Sequence, residues 1–335
     1  MALSLPDLHA AWARALLAGA PLPVERRAEC AACPMCAGEA PPGRGFAAES
    51  RCCTYVPALP NFLVGAILSA RGPGALQAQA GVRARMADPS ALTPHGLDPT
   101  PAEKERYAAL VAAGAFGRDP SLRCPHHLPG GACAIWRHRN AICATWYCRH
   151  ERGAAGERFW QALQRALTAI ELELCHHVAC QLLDPADAPP APADGGDPDE
   201  LPEWAAWRGR EAEYYRRAWA RVAAMSTDEI LAIAAAGAAQ AIADLHAAQA
   251  ALADDAPPAR LLPGTYELVE RRGADARLVG YSEIDAIIAP AALLDRLARF
   301  DGRPTPAVVA DLAADGVTVD DALLRRLVDF GVLVE

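Results

Sequence analysis

The chain has 335 residues, of which 52% are hydrophobic and 22% charged, and its formal net charge is −9. This is the balance of a globular protein, with enough chain for two domains or one large one. The longest apolar stretch, residues 230–243, is interrupted by Gln240 and falls short of the roughly 18 residues that span a bilayer, and the first residues lack the basic region of a signal peptide. We therefore expect a cytoplasmic protein that does not enter a membrane.

Before residue 183, apolar residues recur at helical spacing in three stretches. Residues 5–18 and 61–70 predict short helices, the second with Asn61 as its N-cap. Residues 157–182 predict a long helix, because their apolar positions step by three or four and form one buried face. Those positions are Phe159, Leu163, Leu167, Ile170, Leu174 and Val178. We expect a mainly α domain over residues 1–182, with irregular cysteine-bearing, metal-binding loops between its helices.

Residues 183–202 combine Pro, Gly and Asp and predict a flexible acidic linker. Residues 203–254 then predict a pair of antiparallel helices, over 203–222 and 227–252, the second beginning with a capping box from Ser226 to Glu229. A second break is expected at residues 254–258. The linker predicts that the parts of the chain on either side of it pack independently.

Residues 261–335 differ from the preceding helical segments, because they predict short strands as well as helices. Two short strands, at residues 266–271 and 277–281, flank a Gly-Ala-Asp turn and predict a hairpin. Helical segments are expected at residues 285–300, 305–314 and 319–330, with a last strand at 332–335. This layout predicts a small α+β domain of the winged-helix type.

All eleven cysteines lie in residues 1–182, where 18 basic side chains face 14 acidic ones. In a reducing cytosol, metal ligation or redox chemistry is a better explanation for them than a disulfide scaffold. Nine form two groups, one with two Cys-x2-Cys spacings and an adjacent pair, the other more widely spaced. The candidate metal ligands are Cys30, Cys33, Cys36, Cys52, Cys53, Cys124, Cys133, Cys143 and Cys148.

Thiolates three residues apart converge on one metal around a tight turn. The run from Cys30 to Cys36 suits three corners of an iron–sulfur cubane better than a mononuclear zinc, whose four ligands usually come as two separated pairs. Adjacent residues rarely ligate the same ion, so Cys52 and Cys53 are expected to divide their roles. Nine cysteines allow two four-ligand sites with one left over, or one cluster with several packed thiols, and their spacing does not choose. The alternative is that these cysteines are small buried residues of the core.

The surroundings of these cysteines fit a negatively charged thiolate site. Several arginines lie within six residues of a cysteine and can offset its charge, unless they are ordinary surface residues; among them are Arg51, Arg123, Arg137, Arg139, Arg149 and Arg152. Five aromatic residues can form an apolar shell around a cluster, or line a substrate pocket: Tyr55, Trp136, Trp146, Tyr147 and Trp160. The two groups of cysteines are expected to meet in space, since neither alone supplies the ligands for two closed sites.

The cysteine pattern resembles the YkgJ-type cysteine-cluster proteins, which are described as a zinc- or iron-chelating domain with a CxxCxxCC motif. The resemblance covers about residues 30–160 and includes CAACPMC, RCCTYVPALPNFLVG and the later stretch from RCPHHLPGGACAIW to YCRHERG. It implies a chelated metal and no particular reaction. The chain departs from the motif because 15 residues separate Cys36 from Cys52, so either Cys30–Cys33 or Cys33–Cys36 can be the first pair.

Two weaker metal or proton-transfer candidates lie near the cluster. Glu173, His176, His177 and Cys180 are spaced along the long helix as in a di-iron element, although a solvated polar face explains them better. His126 and His127 follow Cys124 and can ligate a metal or act as general bases, or lie in a surface loop.

The C-terminal segment from Arg299 to Thr305, together with LVDFGVL at its end, resembles the small PqqD-like winged-helix domains that bind leader peptides. Thirteen acidic against eight basic residues in 261–335 disfavour binding to nucleic acid. A protein or peptide partner, or plain intramolecular packing, is favoured instead, and a peptide partner would bind by strand addition to the hairpin edge or in an apolar groove.

The sequence thus predicts a metalloprotein with an iron–sulfur cluster, or else zinc, held by the nine cysteines. Whether it is redox-active or catalytic stays open, and no catalytic residue is identified. One alternative is an iron-dependent enzyme acting on a small molecule or on a peptide presented by the winged-helix tail, with His126, His127 or His138 handling protons. The other is a zinc-stapled, non-catalytic protein-binding module.

Overall fold

The computed structural model describes residues 5–25, 30, 33–36, 40–41, 43–184, 186, 189 and 202–335. About half of the chain is helical and the sheets are small, so the predicted mainly α fold class is confirmed. The predicted linker 183–202 lies almost wholly outside the described residues. Within them the α-helices are α1 Asp7–Leu16, α2 Asn61–Ser69, α3 Ala75–Met86, α4 Pro101–Ala112, α5 Ala141–Ala144, α6 Gly153–Leu183, α7 Pro202–Ala205, α8 Glu211–Ala223, α9 Thr227–Ala253, α10 Ala291–Leu294, α11 Thr305–Ala314 and α12 Asp321–Asp329.

The strands form three small antiparallel sheets. They are β1 Leu59–Pro60, β2 Leu92–Thr93, β3 Gly96–Leu97, β4 Leu262–Pro263, β5 Glu267–Arg272, β6 Asp275–Val279, β7 Ala286–Pro290 and β8 Leu333–Val334. Their orders are β1-β3-β2, β4-β8 and β5-β6-β7. Short 3-10 turns at Pro120–Leu122, Pro129–Gly131 and Trp136–His138 shape the loops between α4 and α5, which carry Cys124 and Cys133.

The main core is built around α6. The apolar face predicted from Phe159 to Val178 is buried, and α9 packs along it through residues spaced four apart, such as Ile230, Ala234 and Ala238. The helix α8 packs mainly on α2. These two late helices therefore belong to the core of residues 5–182, and the antiparallel pairing predicted for 203–254 is wrong, because each helix finds its apolar partner in the first part of the chain.

Close backbone approach fixes the α2–α8 contact. All but the last residue of α2 is buried, and a Cβ at Gly65 would overlap the carbonyl of Tyr215. The side chain of Asn61 does not cap α2 as predicted, since Pro60 occupies the N-cap position. Instead, its buried amide donates hydrogen bonds of 3.0 Å to the carbonyls of Pro94 and Cys175.

Helix α9 begins with the predicted capping box, in which the Ser226 hydroxyl accepts from the Glu229 N–H and the Glu229 carboxylate accepts from the Ser226 N–H. Among the described helices it is the one long and apolar enough to cross a membrane, judged by length and composition alone. The helix is longer than the apolar stretch of 230–243, because it continues past Asp244 with residues that are mostly alanine and leucine.

Residues 261–335 have a core of their own, formed by residues from Leu261 to Leu333. The predicted hairpin is confirmed as β5 and β6, and the last strand as β8. The helix predicted from residue 285 is wrong at its start, because 286–290 form the third strand of the sheet. Burial alternates along it, with Ile287 and Ala289 facing the core and Ile288 exposed, which is the period of a strand.

This C-terminal part is joined to the first core by buried polar contacts. Asp285 is fully buried and accepts hydrogen bonds from the backbone N–H of His150, at 2.9 Å, and from the hydroxyl of Tyr281. Arg152 pairs with the buried Asp329 at 2.6 Å. The independent packing expected from the linker is therefore not observed, because Asp285 and Asp329 of the C-terminal part contact residues just before α6.

Candidate metal centre

A cavity of about 690 Å³ lies where the two groups of cysteines meet. Its wall includes eight of the nine predicted ligands, namely Cys30, Cys33, Cys52, Cys53, Cys124, Cys133, Cys143 and Cys148. The remaining one, Cys36, is also described by the structure but is not part of this wall, and its thiol donates to the carbonyl of Ala47 at 3.8 Å. Thiols more than 70 residues apart in the chain thus share one site.

Backbone hydrogen bonds bring the two groups together. The N–H of Cys124 donates to the carbonyl of Cys53 at 2.8 Å, which ties the adjacent pair to the later loop. That loop folds back on itself through a bridge between His127 and Cys133 and a 2.8 Å bond from Ala134 N–H to the His126 carbonyl. Cys124 and Cys133 therefore flank one tight reversal of the chain.

A buried polar network that we did not predict positions Cys143. Asn140 caps the short helix α5 and accepts the N–H of Cys143 at 3.0 Å. One oxygen of Glu171, from α6, accepts the N–H of Ala141 at 2.9 Å and lies 2.7 Å from Nε2 of His9, which is fully buried. The sequence contains one indication of this network, because Glu171 interrupts the apolar face of α6 at a core position.

Burial and mutual repulsion raise the pKa of most thiols around the cavity. Burial is the main cause for Cys124, whose pKa is raised to about 12, and for Cys133, raised to about 11. Burial and the neighbouring thiolates also raise the pKa of Cys143 well above its usual range. Cys53 is the exception, because Cys52 donates a hydrogen bond to its sulfur and so lowers the pKa of Cys53 while raising that of Cys52.

Two buried guanidinium groups offset negative charge at the cavity. Arg139 is 4% exposed, stacks at 3.6 Å on the ring of Trp136 and donates to the carbonyl of Cys143 at 3.1 Å. Arg51 lies flat on Gly131, where a Cβ would overlap its guanidinium, and its own φ of 55° is uncommon for a residue other than glycine. The hydrogen bond from Cys52 and the charge of both arginines lower the pKa of Cys53, whereas burial raises the pKa of Cys30 and the arginines only reduce that rise.

The other predicted arginines divide between the surface and structural contacts. Arg123 and Arg137 are exposed, and Arg152 pairs with Asp329 and Asp255 in the C-terminal part. Arg149 lies near Cys148 and lowers the pKa of that thiol, although burial raises it to about 11 overall. Sequence distance to a cysteine thus does not identify the arginines that face the cavity.

Aromatic side chains complete the wall. Tyr55, Trp136 and Trp146 line the cavity as predicted, and Phe46, Tyr107 and Phe116 join them unpredicted. Tyr147 and Trp160 stack on each other behind the wall, with ring centroids 4.4 Å apart. The shell is mostly apolar and excludes water from the thiols that it surrounds.

The two neighbouring histidines differ in their environment. His126 lines the cavity, is 1% exposed and lies 3.4 Å from the guanidinium of Arg85, while its Nδ1 has no hydrogen-bond partner among the described residues. Burial, with a smaller effect of Arg85, lowers its pKa to about 4, so the ring is neutral at pH 7. His127 is outside the wall, and burial also lowers its pKa, as it does that of the partly buried His138.

The di-iron element considered for α6 is not formed. Glu173 lies against α9 at Gly237, His176 stacks on His95, and His177 hydrogen bonds to Gln181 at 2.9 Å. Cys180 is exposed. These side chains contact different neighbours. An ordinary polar helix surface therefore explains this face of α6 better than a metal site does.

Across the described residues, no three His, Cys, Asp or Glu side chains converge in a way that could hold a metal ion. The thiols instead stand around the cavity wall, so ligation requires their sulfurs to turn toward a common point. Comparison with known proteins gives no family. No protein-family model, curated protein or solved structure matches the chain.

Proposed function

We propose that the protein binds a metal centre through the thiolates of this cavity, with an iron–sulfur cluster preferred over zinc. The observation that carries the proposal is the gathering of eight thiols on one cavity wall, with the buried Arg139 on the same wall and Arg51 against its residue Gly131. Thiolates are the preferred ligands of iron–sulfur clusters and of structural zinc. The positive charge of Arg51 and Arg139 suits the net negative charge of such a centre.

Packing alone is a poorer explanation for these cysteines. A thiol that only fills space is surrounded by apolar atoms, whereas these thiols face one another closely enough to raise each other's pKa. A bound cation removes that repulsion. Because the ligands come from distant segments, the free energy of metal binding also offsets the cost of turning the sulfurs inward.

Hydrogen bonds to sulfur support the same reading. The backbone N–H of His126 donates to the thiol of Cys124, and that of Ile135 donates to the thiol of Cys133. Both bonds span two residues and lower the pKa of the acceptor thiol. Such bonds stabilise thiolate ligands and tune the centre that they hold.

An iron–sulfur cluster supplies one-electron transfer when it is bound. The residues of this chain would hold its irons, offset its charge and keep water away. An iron-dependent enzyme is the second candidate, and the size of the cavity favours it, because about 690 Å³ lies within the range of small-molecule pockets. The exposed Trp146 on the wall marks the side from which a substrate would enter.

The test is metal and sulfide content after purification without oxygen, together with the visible absorption spectrum. A brown protein that contains iron and acid-labile sulfide supports the cluster, and a colourless protein with zinc supports a structural site. Iron without sulfide favours the enzyme. A Cys143→Ser variant should lose metal, and Cys175→Ser, which changes a buried cysteine outside the cavity, should keep it. Absence of metal from the wild-type protein, both as purified and after reconstitution, would refute the proposal.

A further inference from the structure

We infer that the cavity holds two adjacent metal centres with four thiolates each, and that these centres cut across the two groups seen in the sequence. The first centre is formed by Cys30, Cys33, Cys52 and Cys148. The second is formed by Cys53, Cys124, Cys133 and Cys143. Cys36 belongs to neither. This inference rests on the proposed function, since it assigns the ligands of the proposed metal site.

Apolar packing and a place on the cavity wall together distinguish three members of the first set, Cys33, Cys52 and Cys148. Cys33 is buried with Met35 and Phe46 in a small cluster that is distinct from the two large cores. Cys36, Cys52 and Cys148 pack against this same cluster, but of these three only Cys52 and Cys148 also line the cavity. Cys30 lines the same wall, and the charges of Cys33 and Cys30 both act on Cys148.

Backbone hydrogen bonds define the second set. Cys53 and Cys124 are joined by the 2.8 Å bond between their main chains, and the reversal between His127 and Cys133 brings Cys133 beside them. Cys143 is presented by α5. Each of the four is close enough to the other three to act on them electrostatically, since Cys124, Cys133 and Cys53 raise the pKa of Cys143, and Cys53 and Cys133 raise that of Cys124.

The boundary between the centres runs between Cys52 and Cys53. Cys52 packs against the cluster around Met35, while the carbonyl of Cys53 holds the loop that carries Cys124. Adjacent side chains rarely bind the same ion, and here each has three further thiols on its own side. Cys30 lies near Cys53 as well as near Cys33, so the two centres adjoin in one cavity.

Pairs of substitutions distinguish two centres from one. Three double variants each replace two ligands: C52S/C148S within the first centre, C53S/C143S within the second, and C52S/C53S across both. Each is reconstituted without oxygen, with ferrous iron and sulfide and separately with zinc, and the metal per chain is compared with that of the wild type. We expect about half of the metal in each of the first two variants and almost none in the third.

The outcomes separate this inference from the proposed function. If the wild type itself binds neither iron nor zinc, the proposed function fails. If it binds metal but all three double variants lose the same fraction, one shared centre is present and the division is wrong. The division is also wrong if C52S/C148S retains as little as C52S/C53S.

Two controls guard against misfolding. C175S/C180S replaces two cysteines outside the cavity and should keep all of the metal. Helix content by circular dichroism should match the wild type in every variant, and a second cross-centre pair, C143S/C148S, replaces C52S/C53S if that variant does not fold. Cys36→Ser should keep both centres. Loss of half of the metal from Cys36→Ser would place Cys36 in the first centre and overturn the assignment of its ligands.

Discussion

Glu171 offers a direct test of how the second group of cysteines is held in place. Its carboxylate accepts hydrogen bonds from His9 and from the N–H of Ala141, and both it and His9 are at most 4% exposed. Glu171→Ala leaves a buried ring and a buried N–H without this acceptor. Each buried donor left without an acceptor costs about 1–3 kcal/mol, so for the two donors we expect a loss of about 2–6 kcal/mol in the free energy of unfolding, measured with urea.

Glu173→Ala is the matched control, because Glu173 lies one half-turn away on α6 and its carboxylate only covers Gly237. We expect it to cost less than about 1 kcal/mol. Glu171→Gln should fall between the two, since its amide oxygen can still accept both hydrogen bonds but lacks the charge that strengthens them. If Glu171→Ala unfolds at the same urea concentration as Glu173→Ala, the network does not hold α5, and our account of how Cys143 is positioned is wrong.

Three further predictions concern packing, charge and partners. Gly65→Ala should destabilise the fold by about 3 kcal/mol or more, because the added Cβ would overlap backbone. Gly237→Ala should be neutral or stabilise the fold by up to about 1 kcal/mol, because only a flexible side chain must move. Thermal unfolding measures both effects. Arg139→Gln should weaken metal binding about 10- to 100-fold in a competition with a chelator, since it removes a buried charge beside the thiols, and unchanged affinity would count against that role. DNA binding by the full chain should be weak and lost at moderate salt, because the net charge is −9; tight, salt-resistant binding in a shift assay would contradict this.

The parts of the fold that the sequence predicted well are those governed by local periodicity. The apolar face of α6 and the capping box of α9 depend on residues within four positions of each other, so the sequence alone predicts them. The strand β7 was not predicted, because five residues are too few to distinguish a hydrophobic period of two residues from one of 3.6. The partners of α8 and α9 were not predicted either, since α2 and α6 lie far earlier in the chain and no local pattern links them.

The site shows the same division. Cysteine spacing identified the thiols, and eight of the nine share a cavity. It did not show that Cys36 lies outside the wall, that Arg139 lines the wall and Arg51 lies against Gly131, or that Glu171 reaches α5 from α6. Each of these depends on contacts between segments that are far apart in the sequence, and no local pattern encodes them.

Removal of residues 261–335 tests whether the C-terminal part supports the metal site. Ile284 packs against the cluster that holds Cys33, and Asp285 binds the N–H of His150, two residues after Cys148. A chain that ends at residue 260 loses both contacts at the first centre and none at the second. We expect it to keep its helix content and the metal bound by Cys53, Cys124, Cys133 and Cys143 while the metal of the first centre is lost or weakly held. Full metal content in the shortened chain, at unchanged affinity for a chelator competitor, would mean that the cysteine site is held without the C-terminal part, as the linker composition alone suggested.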